Sequence, residues 1–240
     1  MQSAQDQAVH ELGDKGKKAF GFCLCIPQLL SAWHQLQGKT VFTIAPTGFG
    51  KTLTFWIPLL ASNDGILIIV TRLNILGDKN AQESMEKLGI LGVNVTGDNS
   101  GKEVFKEIND LKHRVIVASP ELLVEHEGFH ALYTNPKFTS KLINITFDKA
   151  HCIILWSGDD FRPEYKMTHK LRWFIPKGIP FHFVSATMPP SIQEEIKHTF
   201  LVKDDTAEEI RMSNDCQNIH IQIVKMKYAK TSIKDLRRVL

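Results

Sequence analysis

The stretch "APTGFGKT", residues 45–52, spaces two glycines, a lysine and a threonine as a backbone loop around a phosphate requires. Gly48 and Gly50 permit a turn that aims successive N–H groups at phosphate oxygens. Lys51 is then placed to reach the β and γ phosphates of a nucleotide, and the Thr52 hydroxyl to ligate magnesium. The nucleotide-binding set on this reading is Thr47, Gly48, Phe49, Gly50, Lys51 and Thr52. A second chemical stretch is "FDKAH", residues 147–151. Asp148 closes the apolar run "LINITF", and parallel strands deliver their C-terminal residues to one crevice, so its carboxylate is the natural second contact for magnesium. The residue after it would ordinarily be a carboxylate that orients water. Here it is Lys149, which while charged cannot accept a proton and which repels a metal ion. Taken singly, the loop could be a glycine turn with an incidental Lys-Thr, and Asp148 a helix cap; their coincidence favours phosphate chemistry.

Such residues need strands and helices to hold them. Short apolar, β-branched runs recur at 40–45, 65–71, 114–119, 142–148 and 180–186, and predict buried strands. Between them, helices are predicted at about Ile26 to Gln37, Lys51 to Leu60, Ile75 to Leu88, Lys102 to Leu111 and Ser191 to Phe200. The alternation argues for a doubly wound α/β fold, a parallel sheet with helices on both faces. Residues 203–218 are polar and aperiodic and read as a linker, "IHIQIVKMK" alternates like a strand, and "TSIKDLRRVL" reads as a helix start capped by Thr231 or Ser232.

The composition, 43% hydrophobic and 23% charged over 240 residues, is that of a globular protein with a real core. A net charge of +3 is too mild to establish a polyanionic partner, though compatible with one. Cys23, Cys25, Cys152 and Cys216 form neither a disulfide framework nor a zinc pattern, and read as reduced thiols. The polar N-terminus has no apolar signal core, and no apolar run approaches the roughly 18 residues that span a bilayer. The expectation is an intracellular protein of the nucleus or cytosol, with no membrane partner.

Together, "APTGFGKT", "FDKAHCIILWSGDDFRPEY" and "SATMPP" resemble the first RecA-like domain of a superfamily 2 helicase, specifically RecQ-type DNA helicases, fungal members among them. The resemblance runs from about Pro27 to Pro190. It implies a RecA-like P-loop NTPase domain over residues 1–202, using ATP and Mg²⁺, with a second such domain beginning at about 219–240. It further implies that Gln28 reads the adenine edge, with Phe22 near the base, and that Lys51, Asp148, the Lys149 position and His151 form the catalytic set. Gln28 on its own reads as a solvated helix residue. Ser185 and Thr187 resemble the residues that couple nucleotide to DNA. Trp156, Phe161, Arg162 and Tyr165 fall in what resembles an aromatic-rich loop that senses single-stranded DNA, while Arg72 and Ser119 occupy strand-end positions that face the DNA backbone. Stacking a base on such a ring contributes about 1–3 kcal/mol; packing of Trp156 and Phe161 beneath the loop is the alternative.

The departures from the family pattern are specific. Lys149 replaces the Glu of a DEAH-type box, the spacing between Trp156 and Asp160 is one residue longer than usual without the usual histidine, Arg72 stands where proline is common, and Cys216 where arginine is typical. The resemblance therefore implies an ATP-dependent DNA helicase translocating 3′ to 5′, with a non-hydrolysing nucleotide- or nucleic-acid-binding module as the alternative that Lys149 raises. A small-molecule kinase or unrelated P-loop ATPase would share "GKT" but gives no reason for "DDFRPEY" or "SATMPP".

Overall fold

A computed structural model of the chain describes residues 2–71, 74–155, 163–215, 219, 220, 222, 223 and 225–228. Among them, seven strands form one sheet: β1 (Thr40–Ile44), β2 (Ile66–Val70), β3 (Gly92–Val95), β4 (Val115–Ala118), β5 (Leu142–Asp148), β6 (Phe181–Ser185) and β7 (Ala207–Arg211). Their order is β3-β4-β2-β5-β6-β1-β7 and every pairing is parallel. Helices α1 (Gln2–Phe20) and α2 (Ile26–Leu36) precede the sheet; parallel strands joined in this way need crossovers, and the later helices supply them: α3 (Leu53–Ala61), α4 (Asn74–Leu88), α5 (Lys102–Asn109), α6 (Pro120–Glu125), α7 (Glu127–Tyr133), α8 (Pro136–Thr139), α9 (Cys152–Leu155), α10 (Leu171–Phe174) and α11 (Pro190–Thr199). The expected doubly wound α/β class is the observed one.

Alternation along the strands divides the core in two. Phe42, Ile44, Ile68, Ile116, Ile145, Phe147, Phe181 and Phe183 pack with residues of α5 to α11 on one face. Four of the strand aromatics and Phe200 interlock there, with Phe183 stacked 5.0 Å from Phe42 and 5.4 Å from Phe147, and Phe200 edge-on to both Phe181 and Phe183. Leu67, Ile69, Val115, Val117 and Val184 face the other way, against Phe55, Trp56 and Leu59 of α3. Outside that layer α1 packs on α2 and α3 through Val9, Leu12, Leu29 and Ile57.

The second face also buries polar residues, and they form a closed circuit. Gln35 donates through Nε2 to the Ser31 Oγ at 3.1 Å, Ser31 and Thr43 share a 2.8 Å contact, and Thr43 Oγ1 lies 2.9 Å from His182 Nε2. On the other side of the imidazole, Nδ1 is 3.3 Å from Thr146 Oγ1, Thr146 donates to Asn144 Oδ1 at 2.9 Å, and Asn144 Nδ2 returns to Gln35 Oε1 at 2.7 Å. One hydroxyl carries one proton. Since that of Thr146 goes to Asn144, His182 donates from Nδ1, and Nε2 is left to accept from Thr43. All six residues are buried, so the ring ties α2 to β1, β6 and β5 with its donors and acceptors matched and no net charge, the condition under which a buried polar network stabilises.

Three sequence expectations are corrected. The 203–218 linker contains β7, which pairs with β1 from Thr40↔Ala207 to Ile44↔Arg211; as a charged edge strand it lacks the apolar run of an interior one. The helix expected from Lys51 starts at Leu53, because Lys51 and Thr52 are held in the preceding turn. None of the described residues in 219–228 lies in the strand expected there; the helix start expected at 231 lies outside the described residues.

Candidate nucleotide site and coupling residues

The loop between β1 and α3 sits at the C-terminal edge of the sheet. Gly48 and Gly50 have φ of +87° and +81°, the left-handed conformation that side chains disfavour. A Cβ at Gly50 would in addition come within 2.9 Å of Gln28 Nε2 and displace that amide from the loop. The Lys51 ammonium folds back over the loop and donates to the carbonyls of Ala45 and Pro46, both at 2.9 Å. Burial lowers its pKa most, the nearby Asp148 carboxylate raises it, and Lys149 lowers it again. Lys51 thus lies within electrostatic reach of both residues at the end of β5.

Strand register brings those residues together. Asp148 pairs with Val184 and Ile44 with Ser185, so β5, β6 and β1 end at one level, and Ala150 N–H closes the crest by donating to Val184 O at 2.8 Å. Lys149 turns this corner with φ +54° and is exposed. Thr52, with its hydroxyl, and Asp148 are both half-buried. These are hard oxygen donors, and among the described residues no group of three or more His, Cys, Asp or Glu could hold a metal by itself. The donor set fits a magnesium ion that takes its remaining ligands from phosphate and water, as that ion prefers.

Gln28 corrects the expectation of a solvated helix residue: it is only 5% exposed. Its Oε1 accepts from Cys25 N–H at 3.0 Å and its Nε2 donates to Phe49 O at 2.9 Å, so the first turn of α2 is strapped to the phosphate loop. Seven residues on, and so on the same helical face, Gln35 anchors α2 in the buried ring. Phe22 is half-exposed, its ring 6.0 Å from that of Phe20.

His151, Ser185 and Thr187 are joined directly. Ser185 Oγ donates to Thr187 O at 2.7 Å and accepts from Thr187 N–H at 3.1 Å. Its single proton is thereby used, so the 2.6 Å contact with His151 Nδ1 requires the imidazole to donate. His151 Nε2 lies 3.5 Å from Cys152 Sγ. Thr187 joins through its backbone. The expected DNA-facing residues are less connected. Ser119 follows β4 at the same sheet edge and begins α6 through its carbonyl, which accepts from Leu123 N–H at 3.2 Å. Arg72, Trp156, Phe161 and Arg162 lie outside the described residues, as does the side chain of Tyr165 within the 3₁₀ helix Pro163–Lys170.

Sequence reasoning missed Ser31, Gln35, Thr43, Asn144, Thr146 and His182 as a unit. The available signal was the polar alternation within two otherwise apolar strands, "LINITFD" and "FHFVS".

Residues 25–196 match the family described as DEAD/DEAH box helicase. The chain is 28% identical over 207 residues to the ATP-dependent DNA helicase hus2/rqh1 of Schizosaccharomyces pombe, covering 82% of this chain and 15% of that protein. It is 24% identical over 230 residues to the RecQ-like DNA helicase BLM of Xenopus laevis, covering 94% and 16%. The DNA-bound structure of the DUF1998 helicase MrfA superposes with a TM-score of 0.62 over 83% of this chain and 29% of that one, at 17% identity, a likeness of fold.

Proposed function

The chain belongs to the DEAD/DEAH box helicase family, and on that premise we propose that it is the ATP-binding domain of a RecQ-like DNA helicase, coupling nucleotide to single-stranded DNA. The observation that carries the reading is the convergence of Lys51, Thr52 and Asp148 at one sheet edge beside a loop with two left-handed glycines. On nucleotide binding Lys51 exchanges the carbonyls of Ala45 and Pro46 for phosphate oxygens, and the loop N–H groups align on the same anion. Thr52 and Asp148 would hold a magnesium ion, which would supply neutralisation of the charge developing on the transferred phosphoryl group. Gln28 accepts from Cys25 N–H and donates to Phe49 O and, at 3.5 Å, to Gly50 O; an amide oxygen accepts twice, which leaves its second lone pair for the donor of an adenine edge. The His151–Ser185–Thr187 linkage supports a coupling role, since it connects the end of β5 beside Asp148 to the segment after β6. Translocation 3′ to 5′ and DNA contact through Arg72, Ser119, Trp156, Phe161, Arg162 and Tyr165 belong to this proposal. Because the chain spans about 15% of the relatives' length, unwinding is assigned to the whole protein.

Lys149 favours a second reading, a module that holds nucleotide without hydrolysing it. Nucleotide binding is tested first. With magnesium ADP at about 100 times its dissociation constant, stability should rise by roughly 2.7 kcal/mol, and Lys51→Ala should abolish the shift. An unchanged melting temperature for the wild-type chain at saturating nucleotide would remove both readings. ATP turnover with and without single-stranded DNA then separates them, since only the helicase reading requires DNA stimulation.

A further inference from the structure

Cys23 and Cys25 stand immediately before α2, where the strap to the phosphate loop begins. Both thiols are exposed, while Leu24 between them is only 9% exposed. That alternation is the signature of extended backbone, and Cys25 has φ −84° and ψ 155°. It turns both sulfurs to the same, solvent side. Leu24 is the fixed point of the segment: it belongs to the cluster of Val9, Leu12, Leu29 and Ile57, and a Cβ added to Gly16 of α1 would lie 2.2 Å from its Cδ1. The Cys25 N–H, in turn, is the donor that holds Gln28 Oε1, whose amide nitrogen holds Phe49 O.

We propose that Cys23 and Cys25 form a thiol–disulfide exchange site, oxidised by low-molecular-weight disulfides, whose closure releases Gln28 from the phosphate loop and weakens nucleotide binding. The consequence for nucleotide rests on the ATP-site reading above. The chemistry balances in two steps. One cysteine thiolate attacks a sulfur of oxidised glutathione, giving a mixed disulfide and releasing one reduced glutathione; the neighbouring thiolate attacks the protein sulfur of that mixed disulfide and releases a second. The two cysteines are oxidised, one glutathione disulfide is reduced, and the two protons the cysteine thiols give up end on the two released glutathione thiols.

The geometry makes closure consequential. Two residues of extended chain advance about 6.6 Å, near the upper limit of Cα separation for a disulfide, and the Cβ atoms must approach to about 3.5–4.5 Å. The backbone must therefore buckle at Leu24. Since Leu24 is pinned between α1 and α2, the two cysteines must turn about it, and the share of the turn taken by Cys25 draws its N–H off Gln28 while its carbonyl stays held by Gln28 and Leu29 N–H at 3.1 and 3.2 Å. The buried thiol of Cys152 has no such neighbour in sequence, so the response is specific to the paired cysteines.

The test treats the whole chain with oxidised glutathione, maps the thiols by peptide mass spectrometry, and titrates magnesium ADP against reduced and oxidised protein. The expected result is a Cys23–Cys25 disulfide, loss of two hydrogens with no adduct mass, and affinity lowered about tenfold, the factor that one lost buried hydrogen bond carries. A thiol reductant should restore it, and Cys23→Ser should bind ADP equally well before and after treatment. Free thiols or separate glutathione adducts on both residues would overturn the exchange site. A mapped disulfide with unchanged affinity would overturn the coupling to nucleotide. A reduced chain that binds no ADP fails the ATP-site reading itself and takes the coupling with it, an outcome distinct from equal binding in both states.

Discussion

Lys149 sets the catalytic question, because it places a second cation one residue from Asp148 and within electrostatic reach of Lys51. Its exposed position and left-handed φ of +54° show that the corner after β5 tolerates a long side chain pointing to solvent. A glutamate there would stand at the same corner with the charge reversed, able to orient water and spared the repulsion of a bound metal. General-base assistance is typically worth about 10² to 10⁴ in rate. Lys149→Glu, assayed for DNA-stimulated ATP turnover with the rest of the helicase present, should gain within that range while ADP affinity changes far less, since Lys51 and the loop amides are untouched. Turnover equal to that of a wild type already working at a helicase-like rate would show that another residue supplies the base. At this scale spacing in the sequence singled out Gly48, Gly50, Lys51, Thr52 and Asp148, and the structure brings them to one edge of the sheet. Gln28 was misjudged without family guidance because its partner Phe49 lies 21 residues away, beyond any local pattern.

Among the elements, α2 has the most consequential attachment, since the ring through Gln35, Asn144 and His182 fixes the helix that presents Gln28. Burial pushes the His182 pKa down to about 3, and both ring nitrogens are already engaged. An added proton on Nε2 would face the hydrogen that Thr43 donates and would break the circuit. The unfolded chain takes up that proton near pH 6.5, whereas the folded chain resists it until about 3. Stability from this group is therefore complete above about pH 6.5 and falls as pH drops below it, by up to about 1.4 kcal/mol per unit. Urea titrations at pH 7 and pH 5 should show wild type losing about 2 kcal/mol more than His182→Asn over that interval; equal losses would mean that His182 is not the group responsible. The five strands predicted from apolar runs were recovered to within a residue or so at each end. β3, with Gly92 and Asn94 in four residues, and β7, "AEEIR", were missed because short or edge strands bury too little to leave an apolar run. α1 was missed because few of its residues reach the core, Val9 and Leu12 among them.

For the molecule as a whole, β7 matters beyond its five residues. It covers the outer edge of β1, the strand that delivers the phosphate loop, and Met212 N–H extends the pairing to Ile44 O at 2.8 Å. Glu208 pairs with Lys39 beside the start of β1. Glu209 accepts from Gln193 at 2.6 Å, and Arg211 donates to Gln193 at 2.7 Å and to Met188 O at 3.1 Å, fastening α11 to the same edge. A domain cut at residue 202, where the polar composition suggests a boundary, would leave β1 as an unprotected edge with its N–H and C=O groups open to another chain. Several hydrogen bonds at about 1 kcal/mol each would go with it, and at about 2–4 °C per kcal/mol a chain of this size should melt roughly 6–12 °C lower. Residues 1–212 should keep the melting temperature of residues 1–240, while residues 1–202 should melt earlier and scatter light in proportion to concentration. Matching melts for all three lengths would mean that β7 only rests on the sheet, and that the loop strand holds its place by β6 alone.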